Sequence, residues 1–198
     1  MELSEVLRRR RMVRHYSDRP LEPDVVERIL DSALRAPSAG FSQGWAFLAL
    51  TDPADRKRFW PFVPSRATQT PTMMDAPLVV IPLAHEAAYR DRYAKPDKAP
   101  LKVEWPVPYW YVDTGMAALC MLLTAVDEGL GACFFGIQAD HRAGFAAEFG
   151  VPLGYEPVGG ITVGYRHPDL APQDSASIES RRRQKAEVVH RGQWGQGM

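Results

Sequence analysis

The stretch YVDTGMAALCMLLTAVDEGLGACFFG, Tyr111 to Gly136, sets the frame for the rest of the chain. From about Val112 to Glu128 it is apolar nearly all round. Such a helix belongs inside a domain, covered on most sides, rather than on a surface with one apolar stripe. Gly129 and Gly131 end it, because glycine accepts the left-handed turn that closes helices. ACFFGI, Ala132 to Ile137, follows at once as a strand. A buried helix feeding a strand calls for further strands and helices to pack against both.

Those partners can be read on either side. WAFLAL (Trp45 to Leu50) and PLVVIPLA (Pro77 to Ala84) are short apolar runs, the pattern of buried strands. EPVGGITVGY, Glu156 to Tyr165, is a fourth strand. Leu3, Val6 and Leu7 give a short helix before an arginine run. A second helix opens at Pro23 and Asp24, carries Val26, Leu30, Ala33 and Leu34 on one face, and stops at Pro37. Thr51-Asp52-Pro53 caps a short helix with Arg56, Lys57 and Arg58. DHRAGFAAEFG forms a helix ending at Gly150. Helices and strands do not alternate strictly, and GGITVGY is not a phosphate loop. The expected fold is therefore α+β, a sheet flanked by helices, in a single domain over residues 1–198. Residues 85 to 110 stand apart, dense in proline and aromatics. Long irregular segments are functional lids or partner-binding arms, with a partly disordered excursion as the alternative. The last 30 or so residues are polar and irregular.

Composition narrows the function. Lys plus Arg is 24 and Asp plus Glu is 24, so the formal net charge is zero. A nucleic-acid binder carries a basic excess or face, so nucleic acid is not an expected partner. Zero net charge also eases self-association. Cys120 and Cys133 form no CxxC pair and have no histidine cluster, which argues against a zinc site. The first residues are charged, and no apolar run approaches the ~20 residues that span a bilayer. The expected location is the cytoplasm, without membrane contact.

No HExxH, GxSxG, Walker A or carboxylate pair is present, and the five histidines are scattered. Reactivity would then belong to a cofactor, with no catalytic side chain. Arginine points to its kind. Arg8, Arg9, Arg10, Arg11 and Arg14 cluster near one end, and Arg181, Arg182 and Arg183 near the other. The planar guanidinium binds phosphate through paired hydrogen bonds. The two clusters could converge on one phosphate; solvated surface charge is the plainer alternative. In the loop PSAGFSQGW, small residues let a ring approach the backbone, and Gln43 offers an amide.

These stretches resemble, in order, the signatures of the nitroreductase family of FMN-dependent oxidoreductases. RRMVRHYSDRPL is similar to R-R-S-x-R-x-[FY], and RAPSAGFSQGW to A-P-S-x-x-N-x-Q-P-W. DEGLGACFFG is similar to G-L-G-x-C-W-x-G, GGITVGYRHP to the last core strand, and RRRQKAEVVHRGQW to R-x-P-L-E-E-V-V-H. The resemblance implies an intertwined homodimer with two FMN molecules at its interface. Arg10, Arg11 and Arg14 would hold the phosphate and ribityl chain, with Met12 in the family's Ser place and Arg181 and Arg183 joining from the tail. Arg8 and Arg9 would be ordinary solvated charge. Pro37, Ser38, Ala39, Gly40 and Gln43 would lie against the flavin from the partner chain. Phe135, Gly136 and Ile137 would present backbone to the isoalloxazine. Phe41 replaces the family's Asn, Gly44 its Pro, and Phe134 or Phe135 its Trp; the proline after GY is displaced to Pro168. The implied activity is ping-pong hydride transfer from NADH or NADPH through FMN to a nitro, quinone or other conjugated acceptor. A flavin or deazaflavin binder without turnover is the second implication, favoured if residues 85 to 110 roof the flavin.

Overall fold

Five strands make one sheet: β1 (Trp45–Leu50), β2 (Leu78–His85), β3 (Gly131–Phe135), β4 (Tyr155–Pro157) and β5 (Gly160–Gly164). Their order is β1-β2-β5-β3, with β4 beside β2. The pairs are antiparallel, and a parallel component enters through a single bridge from Met12 to Ala132. The structure, a computed structural model, describes residues 1–170 and 180–195. Two units divide the chain, Met1–His167 and Pro168–Met198.

In the first unit, α1 (Leu3–Arg9), α2 (Pro23–Ala33), α3 (Pro53–Phe59), α4 (Pro64–Gln69), α5 (Glu86–Tyr93), α6 (Tyr109–Asp127) and α7 (Ala139–Phe149) surround the sheet. β2 is central, and alternation along it feeds both faces. Leu78 and Val80 join Ala132, Ile161 and Val163 against Ile29 of α2 and Met121 and Ala125 of α6. Val79, Ile81 and Leu83 join Cys133 and Phe135 against Phe59, Trp60 and Phe145. A strand buried on both faces is apolar throughout, which is why it reads as one run in the sequence.

The single strand expected over 156–165 is broken into β4 and β5. Leu83 faces Pro157 while Val80 faces Ile161, so the 157–161 side carries one extra residue, a bulge around Val158 and Gly159. Pro82 lies opposite. Its carbonyl accepts the Val158 N–H at 2.9 Å, and its nitrogen, lacking a hydrogen, falls where the ladder is already interrupted.

α6 starts at Tyr109, three residues before the expected Val112. Among the described residues it is one helix long and apolar enough to cross a membrane, and half of that stretch is buried in the protein. Its apolarity is spent on the core, through Ala117, Ala118, Met121, Leu122 and Ala125, while Tyr109, Val112 and Leu119 stay exposed. Gly129, at φ +76°, closes it as expected.

Residues 85 to 110 contain a helix, α5, that the sequence reading treats as irregular. α4 is likewise unexpected. Behind α5, Tyr89 and Trp110 are buried with Ala84, and Trp105 and Tyr111 pack on them.

In the second unit, α8 (Lys185–Val188) is a single turn opened by Gln184 and Glu187, which cap it reciprocally. Arg183 reaches Glu187, with its guanidinium 3.0 Å from the backbone carbonyl. Arg181 and Arg183 are both exposed.

Candidate cofactor site

The arginine run separates once its partners are known. Arg8 forms a two-pronged pair with Glu5 at 2.7 and 2.8 Å, and Arg9 pairs with the same carboxylate. These are helix neighbours three and four positions apart. Arg11 turns back and donates to the carbonyls of Arg8 and Arg10 at 2.8 and 3.0 Å. Those carbonyls lie at the end of α1, where acceptors go unmatched and a cation is welcome. Arg10 is different. It is half-buried, and among the described residues its guanidinium makes no hydrogen bond or ion pair. Arg14 is half-buried beside β3. Burial pushes the Cys133 thiol up, and the Arg14 charge is the main influence opposing it.

The segment after α1 is pinned by backbone. Val13 N–H donates to the Ala132 carbonyl at 2.9 Å, and Ser17 N–H to that of Tyr165 at 3.0 Å. Tyr16, fully buried, donates its hydroxyl to the Val13 carbonyl at 2.5 Å and meets the Thr162 hydroxyl at 3.0 Å. Met12 packs into both core clusters. Its sulfur lies 3.5 Å from the Phe134 N–H, which donates to it.

The second stretch, Pro37 to Gln43, precedes β1. Gly40, Phe41 and Gln43 have φ of +61°, +54° and +49°. For a residue with a Cβ, this left-handed region costs on the order of 1–2 kcal/mol. Two such residues in one loop persist only where the surroundings enforce them. Ser38 Oγ accepts the Gln43 N–H at 3.0 Å, and the Ser42 hydroxyl donates to the Ala39 carbonyl at 2.6 Å. Ala39 N–H donates to Asp113 Oδ2 at 2.7 Å, and the Tyr89 hydroxyl donates to the same oxygen at 2.8 Å. Asp113 is 2% exposed. Phe41, by contrast, is 73% exposed.

The third stretch ends β3. The Phe135 ring is buried and stacked 6.5 Å from Trp60, so its side chain belongs to the core. Ile137 is buried as well. Gly136 between them is exposed, and the space where a Cβ would stand is open. Backbone is what this stretch can offer a ligand.

Register gives the layout. Trp45 faces Ala84 and Phe135 faces Gly160, so the loop and the end of β3 lie at the same end of the sheet. They are on opposite edges, three strand spacings or about 14 Å apart. Within one chain, Arg10, Met12, Arg14 and Phe135–Ile137 share the β3 edge, and Pro37–Gln43 sit on the β1 edge. Arg181 and Arg183 belong to the second unit.

A family model described as the nitroreductase family matches residues 7–165. The chain belongs to the nitroreductase family. A Methanothermobacter thermautotrophicus protein provisionally named NADH dehydrogenase/NAD(P)H nitroreductase is 26% identical over 167 residues, which cover 83% of this chain and 78% of that protein. An FMN-dependent nitroreductase from Clostridium difficile R20291 superposes with a TM-score of 0.70 at 21% identity, covering 96% of this chain and 98% of the other. The NfrA1 nitroreductase from B. subtilis gives 0.76 at 17% identity, covering 98% and 75%. At those identities the structures establish the fold, and the match to the family model assigns this nitroreductase-family chain to a family of oxidoreductases. Tyr89 and Asp113 escaped the sequence reading. The available signal was an acid inside the otherwise apolar α6.

Proposed function

We propose that the protein is a cytoplasmic, homodimeric FMN-dependent oxidoreductase. The observation that carries this is the layout: half a site on each edge of the sheet. An Arg10 guanidinium without a partner among the described residues suits a phosphate. Open backbone at Gly136 suits the face of a flat ring. A rigid left-handed loop on the far edge suits the other side of such a ring in a second copy. The exposed apolar residues of α6, Tyr109, Val112 and Leu119, supply surface for that copy.

Bound FMN would supply the two-electron chemistry, accepting hydride from NADH or NADPH and passing it to a nitro, quinone or other conjugated small molecule in ping-pong order. The chain's own task is holding and tuning. Arg10 and Arg14 hold the phosphate end; Arg11 is occupied at the end of α1. Met12 shapes the floor: its sulfur takes the Phe134 N–H, leaving the Phe135–Ile137 backbone to face the ring. Backbone N–H groups aimed at a ring that gains negative charge on reduction favour the reduced form. Pro37, Ser38, Ala39, Gly40 and Gln43 close the site from the partner subunit.

The test is direct. Purified protein incubated with FMN should be yellow after desalting, and NADH or NADPH added without oxygen should bleach it. Failure to take up FMN contradicts the proposal. Uptake without bleaching by either nucleotide points instead to a flavin binder without turnover.

A further inference from the structure

The Pro37–Gln43 loop is gripped from one side. Besides Asp113, two side chains of α5 reach it, and a third, Tyr89, supports Asp113. Tyr89 donates to the carboxylate that holds Ala39. Arg92 Nε–H donates to the Gly40 carbonyl at 3.0 Å, while the rest of the guanidinium is fixed on Asp97 at 2.7 and 2.9 Å. The Tyr93 ring fills the space beside Gly40, where a Cβ would stand 2.7 Å from its Cε2. At Gly44 a Cβ would stand 2.4 Å from Cε2 of Tyr89. Gly40 and, just after the loop, Gly44 are thus sites where a tyrosine ring enters, and Gly44 stands where the family signature has a proline. Trp105 braces both tyrosines edge-on, at 4.8 Å from Tyr93 and 5.8 Å from Tyr89.

We infer that α5 and Asp113 form a clamp that holds the Pro37–Gln43 loop in its left-handed form for the flavin, making Tyr89, Arg92 and Asp113 positioning residues for the cofactor. What the loop faces rests on the FMN reading above; the clamp itself rests on contacts within one chain. A connection from α2 to β1 needs neither left-handed residues nor a buried carboxylate. Rigidity here keeps the loop backbone in a binding shape before the ligand arrives, which lowers the ordering cost of binding. Residues 85 to 110 then work behind the loop, with their aromatics turned toward one another. Burial, reinforced by Asp113, pushes the Tyr89 hydroxyl well up, so it remains a donor throughout the working pH range.

Four variants test this: Arg92→Ala, Tyr89→Phe, Asp113→Asn and Asp113→Ala. Amide hydrogen exchange at Ala39 to Ser42 is measured in flavin-free protein, and FMN affinity and the visible circular dichroism of bound FMN in loaded protein. Arg92→Ala and Tyr89→Phe should speed loop exchange, weaken FMN roughly 2- to 10-fold and change the dichroism. The thermal midpoint of Arg92→Ala should stay near wild type, since that residue is partly exposed. Asp113→Asn keeps an acceptor oxygen and should rescue most of what Asp113→Ala loses. If Asp113→Ala does not fold, the other variants decide. Unchanged loop exchange together with unchanged FMN affinity in Arg92→Ala and Tyr89→Phe overturns the clamp. If wild-type protein takes no FMN, the cofactor reading fails, and exchange alone decides whether the clamp exists.

Discussion

Residues 10–16 and residues 37–43 carry the two halves of the proposed site, and they are built in opposite ways. The first is held by main chain: Val13 on Ala132, a bridge at Met12, and Tyr16 locked beneath. Among the described residues, its Arg10 guanidinium makes no hydrogen bond or ion pair. The second has little regular pairing and is held by side chains from far along the chain; Asp113 acts on Ala39 across 74 positions. Its side chains and shape are spent on being held, and what it offers a ligand is backbone and the exposed Phe41. The first half should therefore lose affinity on mutation while keeping its shape. The second should lose shape first.

The sharpest way to break that contrast is Asp113→Ala. It leaves the Tyr89 hydroxyl and the Ala39 N–H without their acceptor, at about 1–3 kcal/mol each, so urea unfolding should show a loss of about 2–6 kcal/mol. Unfolding indistinguishable from wild type would mean that the loop is not held this way. Next comes Arg10→Ala, which should weaken FMN by about 1.5–3 kcal/mol, the scale of a hydrogen bond to a charged group. Titration of flavin fluorescence measures it, and the thermal midpoint should not move. Gly44→Ala pushes a methyl group into the Tyr89 ring and should cost about 1–3 kcal/mol of stability by overpacking, measured by the same urea unfolding. The smallest effect belongs to Glu5. Hydrogen bonds from Arg8 and then Arg9 lower its carboxyl to about 2 from an ordinary 4.5. The folded pKa is depressed, so this contribution is present above the ordinary value and is lost as pH falls through about 2. The carboxyl resonance should titrate near that low value, and Glu5→Gln should leave FMN affinity at neutral pH unchanged.

The legible part of the fold was its apolar part. β1, β2 and β3 are continuous apolar runs, and α6 is apolar all round, so each announces itself. α5 does not, because EAAYRDRY buries just Tyr89 and shows no apolar stripe. The bulge at Val158 and Gly159 was hidden because the residue opposite it, Pro82, lies on another strand. In the site, Arg8 and Arg9, expected as solvated charge, pair with Glu5 on the exposed side of α1. The sequence did not show that Arg11 would be drawn onto the end of α1, since that depends on where the helix stops. The clamp was illegible for the same physical reason that it is strong. It joins residues that meet only after the sheet has brought β1 and the end of β2 together.

The central claim is that each flavin is held by the β3 edge of one chain and the loop of the other. A heterodimer of one Arg10→Glu chain and one Arg92→Ala/Tyr89→Phe chain, isolated with two different tags, tests it. One of its two sites would carry both defects and the other none. The account predicts one FMN per dimer bound with wild-type affinity, although each variant homodimer binds weakly. A heterodimer in which both sites bind weakly would contradict it.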